Sequence, residues 1–318
     1  MSYDNQRTAF GNTLVALGAE NPDIVVLEAD LGKSTMSSMF QEAYPDRYFE
    51  MGIAEANMTS VAAGLALSGK IAFTNSFAVF VVGRAYDQIR QTIAIGKLNV
   101  KICGSSAGCS DFGDGATHQS VEDIAIMSAI PNMTVLSPVD ANETVKAVRA
   151  MAAFAGPCYL RVSRTSYDNI TPEDAPFEIG VPTVLKEGSD VALFATGYMC
   201  IKALEAARLL EGRISVKVIN VSTIKPLNDS LIVGLTGNCK AIVTAEEHSI
   251  IGGLGSAVAR AVRHLGKPLE HVGICDEFGC SAHSHDEIMC HLGLTVPSIQ
   301  DAVETTYNLA NKKEAGLK

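Results

Sequence analysis

The chain has 318 residues, 47% hydrophobic and 19% charged, enough for buried cores in two domains of roughly 100–200 residues each. A net charge of −10 argues against a nucleic-acid duplex or an anionic membrane as partner, and no apolar run reaches the length of a membrane span. The N-terminus lacks a basic-then-apolar leader, and eight cysteines in no small-scaffold spacing fit reduced thiols in a cytoplasm. Sparse charge on a chain this long also points to surface covered by partner subunits.

Short apolar runs alternate with helical periods. In chain order, residues 24–27 read as a buried strand, 53–68 as a small-residue helix, 71–74 as a strand, 84–95 as a helix and 98–103 as a strand. A helix over 120–130 follows, with Ser120 as N-cap and Asp123 three residues on. Residues 133–136 read as a strand stopped by Pro138, 140–154 as a helix capped by Asp140 with Glu143 three on, and 159–162 as the strand that closes the first half. A polar segment bearing Pro172, Pro176 and Pro182 then marks a connection. The rhythm restarts with strands at 191–194, 215–220, 241–245 and 272–274 and helices at 200–211 and 255–265. Near-continuous apolar strands between helices mean parallel sheets covered on both faces. The expected architecture is α/β, two doubly wound domains over 1–170 and 188–318 joined by a linker over 171–187.

The segment Met51-Gly52-Ile53-Ala54-Glu55-Ala56-Asn57-Met58 places one acid at the mouth of a small, apolar helix. A buried lone carboxylate is costly unless paired, and its pKa rises, so it can share a proton with a bound heterocycle. Phe77 and Phe80 follow a strand, where ligands gather in open α/β sheets, and an aromatic ring there can stack on a flat heterocycle. In Gly113-Asp114-Gly115-Ala116-Thr117-His118-Gln119, two glycines free the backbone for close approach, and Asp114 and His118 can meet one substrate.

Taken in order, GIAEANM, the Phe77/Phe80 pair, GDGATHQ and Leu160-Arg161-Val162-Ser163-Arg164 resemble the pyrimidine-binding and C-terminal domains of transketolase. The arrangement is similar to the C-terminal subunit of a split, two-gene transketolase, a thiamine-diphosphate enzyme that moves a two-carbon ketol unit between sugar phosphates in pentose-phosphate metabolism. The resemblance implies that Glu55 bonds the cofactor's aminopyrimidine and favours the imino tautomer, whose nitrogen takes the thiazolium C2 proton. A carboxylic acid in apolar surroundings suits that role. It further implies that Phe80 stacks on the ring with Phe77 beside it, that Asp30 lies near the thiazolium, and that Asp114 holds a donor hydroxyl. His118 would contact the reacting carbons, and Arg7, Ser34 and Arg164 would grip the substrate phosphate, an anion that guanidinium forks suit.

Two positions depart from the pattern. Ser106 stands where the family has a phosphate-binding histidine, and Gly113 where it has a glutamate. An altered donor or acceptor, a modified or differently charged sugar, is the expectation that follows. The family's diphosphate is held through Mg²⁺ by a separate N-terminal domain with a GDG…N motif. Gly113-Asp114-Gly115 with Asn142 falls near that spacing by coincidence, since Pro131 and Pro138 intervene. No room for such a domain precedes Glu55. The chain is therefore expected to be inactive alone, and to act as a dimer within a heterotetramer with two N-terminal partners.

Cys275, Cys280, His283, His285, Cys290 and His291 lack a tight zinc-knuckle spacing and read as ordinary thiols and imidazoles, so no metal site is expected in this chain. Gly252-Gly253-Leu254-Gly255 lacks the third glycine of a dinucleotide fingerprint and reads as close packing at a helix start. Rival readings are a 1-deoxyxylulose-5-phosphate synthase, whose pattern Arg84-Ala85-Tyr86-Asp87-Gln88 resembles, a 2-oxoacid dehydrogenase β subunit, and a non-catalytic scaffold.

Overall fold

The computed structural model describes residues 5–316, the side chains of 314 and 315 apart. Its described strands are β1 (Ile24–Glu28), β2 (Tyr48–Glu50), β3 (Ile71–Phe77), β4 (Val100–Ser105), β5 (Thr134–Leu136) and β6 (Cys158–Arg161), then β7 (Thr183–Lys186), β8 (Val191–Ala195), β9 (Val216–Asn220), β10 (Thr223–Lys225), β11 (Ala241–Ser249) and β12 (Leu269–Ile274). They form a seven-stranded sheet in the order β10-β5-β6-β4-β3-β1-β2 and a five-stranded sheet in the order β12-β11-β8-β9-β7. All pairs are parallel except one antiparallel edge strand in each sheet, β10 and β7. The central strands are buried along their whole length, as a sheet covered on both faces requires. The α/β, two-sheet architecture is thus the one the alternation predicts.

In the first sheet β2 lies on one side of β1 and β3 on the other. The chain reverses its direction of progress there, which opens a crevice at the carboxyl ends of these strands. Asp30 follows β1 and Phe77 ends β3, so both sit at that crevice.

Several elements differ from expectation: the alternation does not mark the helices Gln6–Glu20, Asp229–Thr236 and Val296–Gly316 or the short strands β2, β7 and β10. Helical backbone begins at Ala78, directly after β3, and ends at Arg84; Tyr86–Gln88 and a wide-turn stretch Ile89–Ala94 follow. Phe80 therefore rides on a helix that starts at the crevice. Ser120 caps nothing: its backbone pairs with Gly108, and the next helix starts at Asp123, whose carboxylate turns to Tyr159 and Arg161. The Asp140 cap forms as expected, accepting from the Glu143 amide at 2.8 Å ahead of the Ala141–Ala153 helix. Within 171–187, β7 joins the second sheet, and β10 from the later half extends the first.

Candidate active site

Glu55 opens the Glu55–Leu67 helix and is 3% exposed. Negative charge suits this end of a helix. Its carboxylate is not alone: Arg84 donates from Nη1 to both oxygens, at 3.1 and 3.4 Å. Arg84 closes the Ala78–Arg84 helix, and the same guanidinium lies 4.4 Å from the Phe80 ring centroid. Phe77 and Phe80 stack with centroids 6.0 Å apart, and His118 meets both rings edge-on, at 6.1 and 5.3 Å. A cleft of about 330 Å³ lies between Ala29, Asp30, Leu31 and Ile53 on one side and Glu55, Phe80, Arg84 and His118 on the other.

Asp30 reaches this cleft in a left-handed turn, φ 61°, its amide donating to Glu50 at 2.8 Å. The buried Glu28 anchors the turn. It accepts from the Ala29 amide and from the hydroxyls of Thr35 and Ser37. Burial pushes the Glu28 carboxyl up to about 7 in spite of those bonds.

A second group adjoins the cleft. Arg7 donates to the Ser34 carbonyl at 2.9 Å and keeps a buried Nε with no protein partner. Arg164 donates to both oxygens of Asp111 at 2.8 Å and lies 3.8 Å from Asp114. Burial, and then the nearby Arg164, pull the Arg7 guanidinium below its ordinary value, while Asp111 works the other way. Ser106 follows β4 at φ 54°, fully buried, its hydroxyl unpartnered. His118 Nδ1 lies 2.9 Å from the Thr117 hydroxyl. Gly115, at φ 75°, is held against Ser281 of the other half; a Cβ there would meet Ser281 Oγ at 2.4 Å.

The residues singled out in the sequence therefore fall into two adjoining groups. Glu55, Phe80, His118 and Asp30 line the cleft, with Phe77 packed against Phe80 and His118. Arg7, Ser34, Arg164 and Asp114 form the charged neighbour, and Ser106 is buried outside the cleft lining. Sequence reasoning missed Glu28, Arg84 and Asp111. Arg84 and Asp111 meet partners 29 and 53 residues away, and the bonds of Glu28 form only when the turn after β1 folds back on it.

Elsewhere, the Gly252-Gly253-Leu254-Gly255 turn has its helix amides already taken. Glu246 accepts from Leu254 N and Gly255 N, both at 2.7 Å, and burial lifts its carboxyl to about 7. A Cβ on Gly253 would meet Glu246 at 2.1 Å, so the glycines serve internal packing. His285 is committed to Glu247 at 3.2 Å, and among the described residues no three His, Cys, Asp or Glu side chains gather as metal ligands. Asn142 lies within a helix and donates to the Thr171 carbonyl at 2.7 Å. No helix among the described residues is long and apolar enough to cross a membrane.

Residues 5–169 match the family model described as transketolase, pyrimidine binding domain, and residues 180–299 the one described as transketolase, C-terminal domain. A Methanocaldococcus jannaschii chain provisionally named transketolase C-terminal section is 44% identical over 302 residues, covering 93% of this chain and 94% of that one. The 6-deoxy-6-sulfo-D-fructose transketolase subunit SqwH of Clostridium sp. strain MSTE9 is 41% identical over 275 residues, covering 86% and 85%. The solved structure titled split gene transketolase, inactive beta4 tetramer, aligns at a TM-score of 0.88 with 44% identity, covering 97% of this chain and 100% of that one.

Proposed function

The chain belongs to the transketolase family, and on that premise we propose that it is the C-terminal subunit of a split enzyme that moves two-carbon ketol units between sugars with thiamine diphosphate. Residues 1–170 serve as its pyrimidine-binding domain, 171–187 as the connection and 188–318 as the C-terminal domain. It works in the cytoplasm as a dimer of such chains with two N-terminal partners.

The observation that carries this reading is the meeting of a buried carboxylate, an aromatic face and an imidazole around one cleft, Glu55, Phe80 and His118. That donor set fits a flat, nitrogen-bearing ring, because the ring face stacks while the carboxylate takes a ring proton. A partner subunit would hold the diphosphate and Mg²⁺, as the family's separate N-terminal domain does. Bound there, the cofactor supplies the nucleophilic carbon. Glu55 holds the proton that sets the ring's tautomer, with Phe80 and Phe77 fixing the plane. His118 reaches over those rings toward the reacting carbons, Asp30 and Asp114 face the cofactor and donor sides, and Arg7, Ser34 and Arg164 hold the substrate's far end.

That far end supports a sugar other than an ordinary phosphate ester. Asp111 is 2% exposed and engages Arg164 through both oxygens, and Asp114 lies 3.8 Å from the same guanidinium, so the positive charge of the two arginines is largely offset. Ser106, fully buried, stands where the family pattern has an imidazole, so that cationic group is missing here. A singly charged terminus, of which the sulfo-sugar named for one relative is an example, suits this balance better than a phosphate dianion.

The test is ketol transfer by the complex purified from the native cell, with thiamine diphosphate and Mg²⁺, using donors that end in phosphate or in sulfonate. Activity is expected in the complex and absent from this chain alone. Glu55→Ala should keep the fold and lose activity by roughly a thousandfold, within the range of positioned proton transfer. Near-normal turnover by that variant, or turnover by the lone chain, would sink the proposal. CO₂ released from a pyruvate-like acid would move the enzyme to the synthase class, and ordinary saturation by ribose 5-phosphate would remove the altered sugar.

A further inference from the structure

Arg84 stands where a ring-shaped ligand would. Its guanidinium covers Phe80 at 4.4 Å and donates to both oxygens of Glu55. A guanidinium is a planar cation that stacks on aromatic faces and forks onto carboxylates. It therefore satisfies the same two surfaces, ring face and acid, that a bound pyrimidine needs. Neither surface serves both occupants at once: Arg84 already holds both Glu55 oxygens and lies over a face of Phe80, at the wall of the same cleft.

The side chain is free to leave. It is 53% exposed, it ends its helix, and a Cβ on the adjacent Gly83 would meet nothing within 4 Å. It also has a reason to stay. Glu55 buried without a countercharge would weigh on the fold.

We propose that Arg84 is a placeholder for the cofactor's pyrimidine: its guanidinium pairs with Glu55 and covers Phe80, the two surfaces the ring would use, and it must swing outward to admit the ring. The inference rests on the thiamine-diphosphate reading above and adds to it a competing internal occupant. A site populated mostly in its closed form binds with an affinity reduced by the open fraction.

The experiment titrates thiamine diphosphate into the cofactor-stripped complex of full chain and partner by calorimetry, with thermal melting of the cofactor-free forms alongside. Arg84→Ala is expected to bind about tenfold more tightly than wild type, the size of a half-exposed ion pair plus a cation–π contact. The same variant should melt lower without cofactor. Arg84→Lys keeps the charge but loses the flat stack, and its affinity should fall between the two. Unchanged or weaker binding by Arg84→Ala, with a wild-type circular dichroism spectrum, would overturn the placeholder. If the alanine variant does not assemble, Arg84→Lys decides in the same way: tighter binding supports the proposal and unchanged binding overturns it. A wild-type complex that binds no thiamine diphosphate would bring down the functional reading as well, whereas wild-type binding with no gain in the variants sinks the placeholder alone.

Discussion

Glu28 ends β1 as a buried carboxylate whose three donors come from the turn that carries Asp30. Its pKa is raised from 4.5 to about 7, so the folded protein keeps the proton over a range where the unfolded chain has lost it. The sign follows from proton counting. Its contribution to stability is greatest below about pH 4.5, falls as pH rises through that window, and is level again above about pH 7. The shift corresponds to at most about 3 kcal/mol. Glu28→Gln should therefore flatten the pH dependence of the denaturation midpoint between pH 4.5 and 7; an unaltered slope in the variant would rule out this role for Glu28. Glu55 and Glu28 are both buried acids near one cleft, yet only Glu55 stood out in the sequence, because a family motif surrounds it. Arg84 was legible only as part of the Arg84-Ala85-Tyr86-Asp87-Gln88 run, and its pairing with Glu55, like that of Asp111 with Arg164, came with the fold.

Among the helices, caps were legible where the capping group had nothing else to do. Asp140 accepts from the Glu143 amide, and its other oxygen takes the amides of Ile170 and Thr171 at 2.8 and 2.7 Å. One side chain thus starts a helix and pins the segment that leaves the first sheet. Asp140→Ala should lower stability by about 2–3 kcal/mol, more than a cap alone, because buried amides lose their acceptor. Urea denaturation measures this, and a loss below about 0.5 kcal/mol would show the pin to be idle. Ser120 and Asp123 carry the same cap-like spacing but form no cap. Asp123 is drawn into a buried network with Tyr159 at 2.7 Å and Arg161 at 3.0 Å, which outweighs a local turn. The Ala78–Arg84 helix started earlier than periodicity suggested for a related reason. Phe77 and Phe80 are apolar on a strand or a helix alike, and only the sheet's end decides where the strand stops.

Across the whole molecule the two halves are sewn together. β10 extends the first sheet, Asn220 and Ser222 donate to Glu143, and the Cys109 amide donates to Glu247. Arg161 is the central stitch: it donates to Asp123 in its own half and to the Glu247 carbonyl in the other, and all of it is buried. Gln119 adds a bond to the Cys280 carbonyl at 3.0 Å, which ties the GDGATHQ loop to the later half. Arg161→Leu should cost about 3–5 kcal/mol by leaving the Asp123 charge buried and unpaired. It should also uncouple the halves, so that two unfolding transitions replace one in calorimetry. A single transition at the wild-type temperature would show the stitch to be unnecessary.

What the chain's own order of residues determined was the layered α/β plan, the central strands and several of the helices between them, and the motifs that mark the cleft. These depend on short-range period and spacing, which tertiary packing leaves intact. Folding alone decided that Arg84 meets Glu55, that Asp111 offsets Arg164, and that β10 crosses between sheets. Those are pairings between residues 29, 53 and 87 or more positions apart, and a charge or a short strand carries no local mark of the partner that closure will bring.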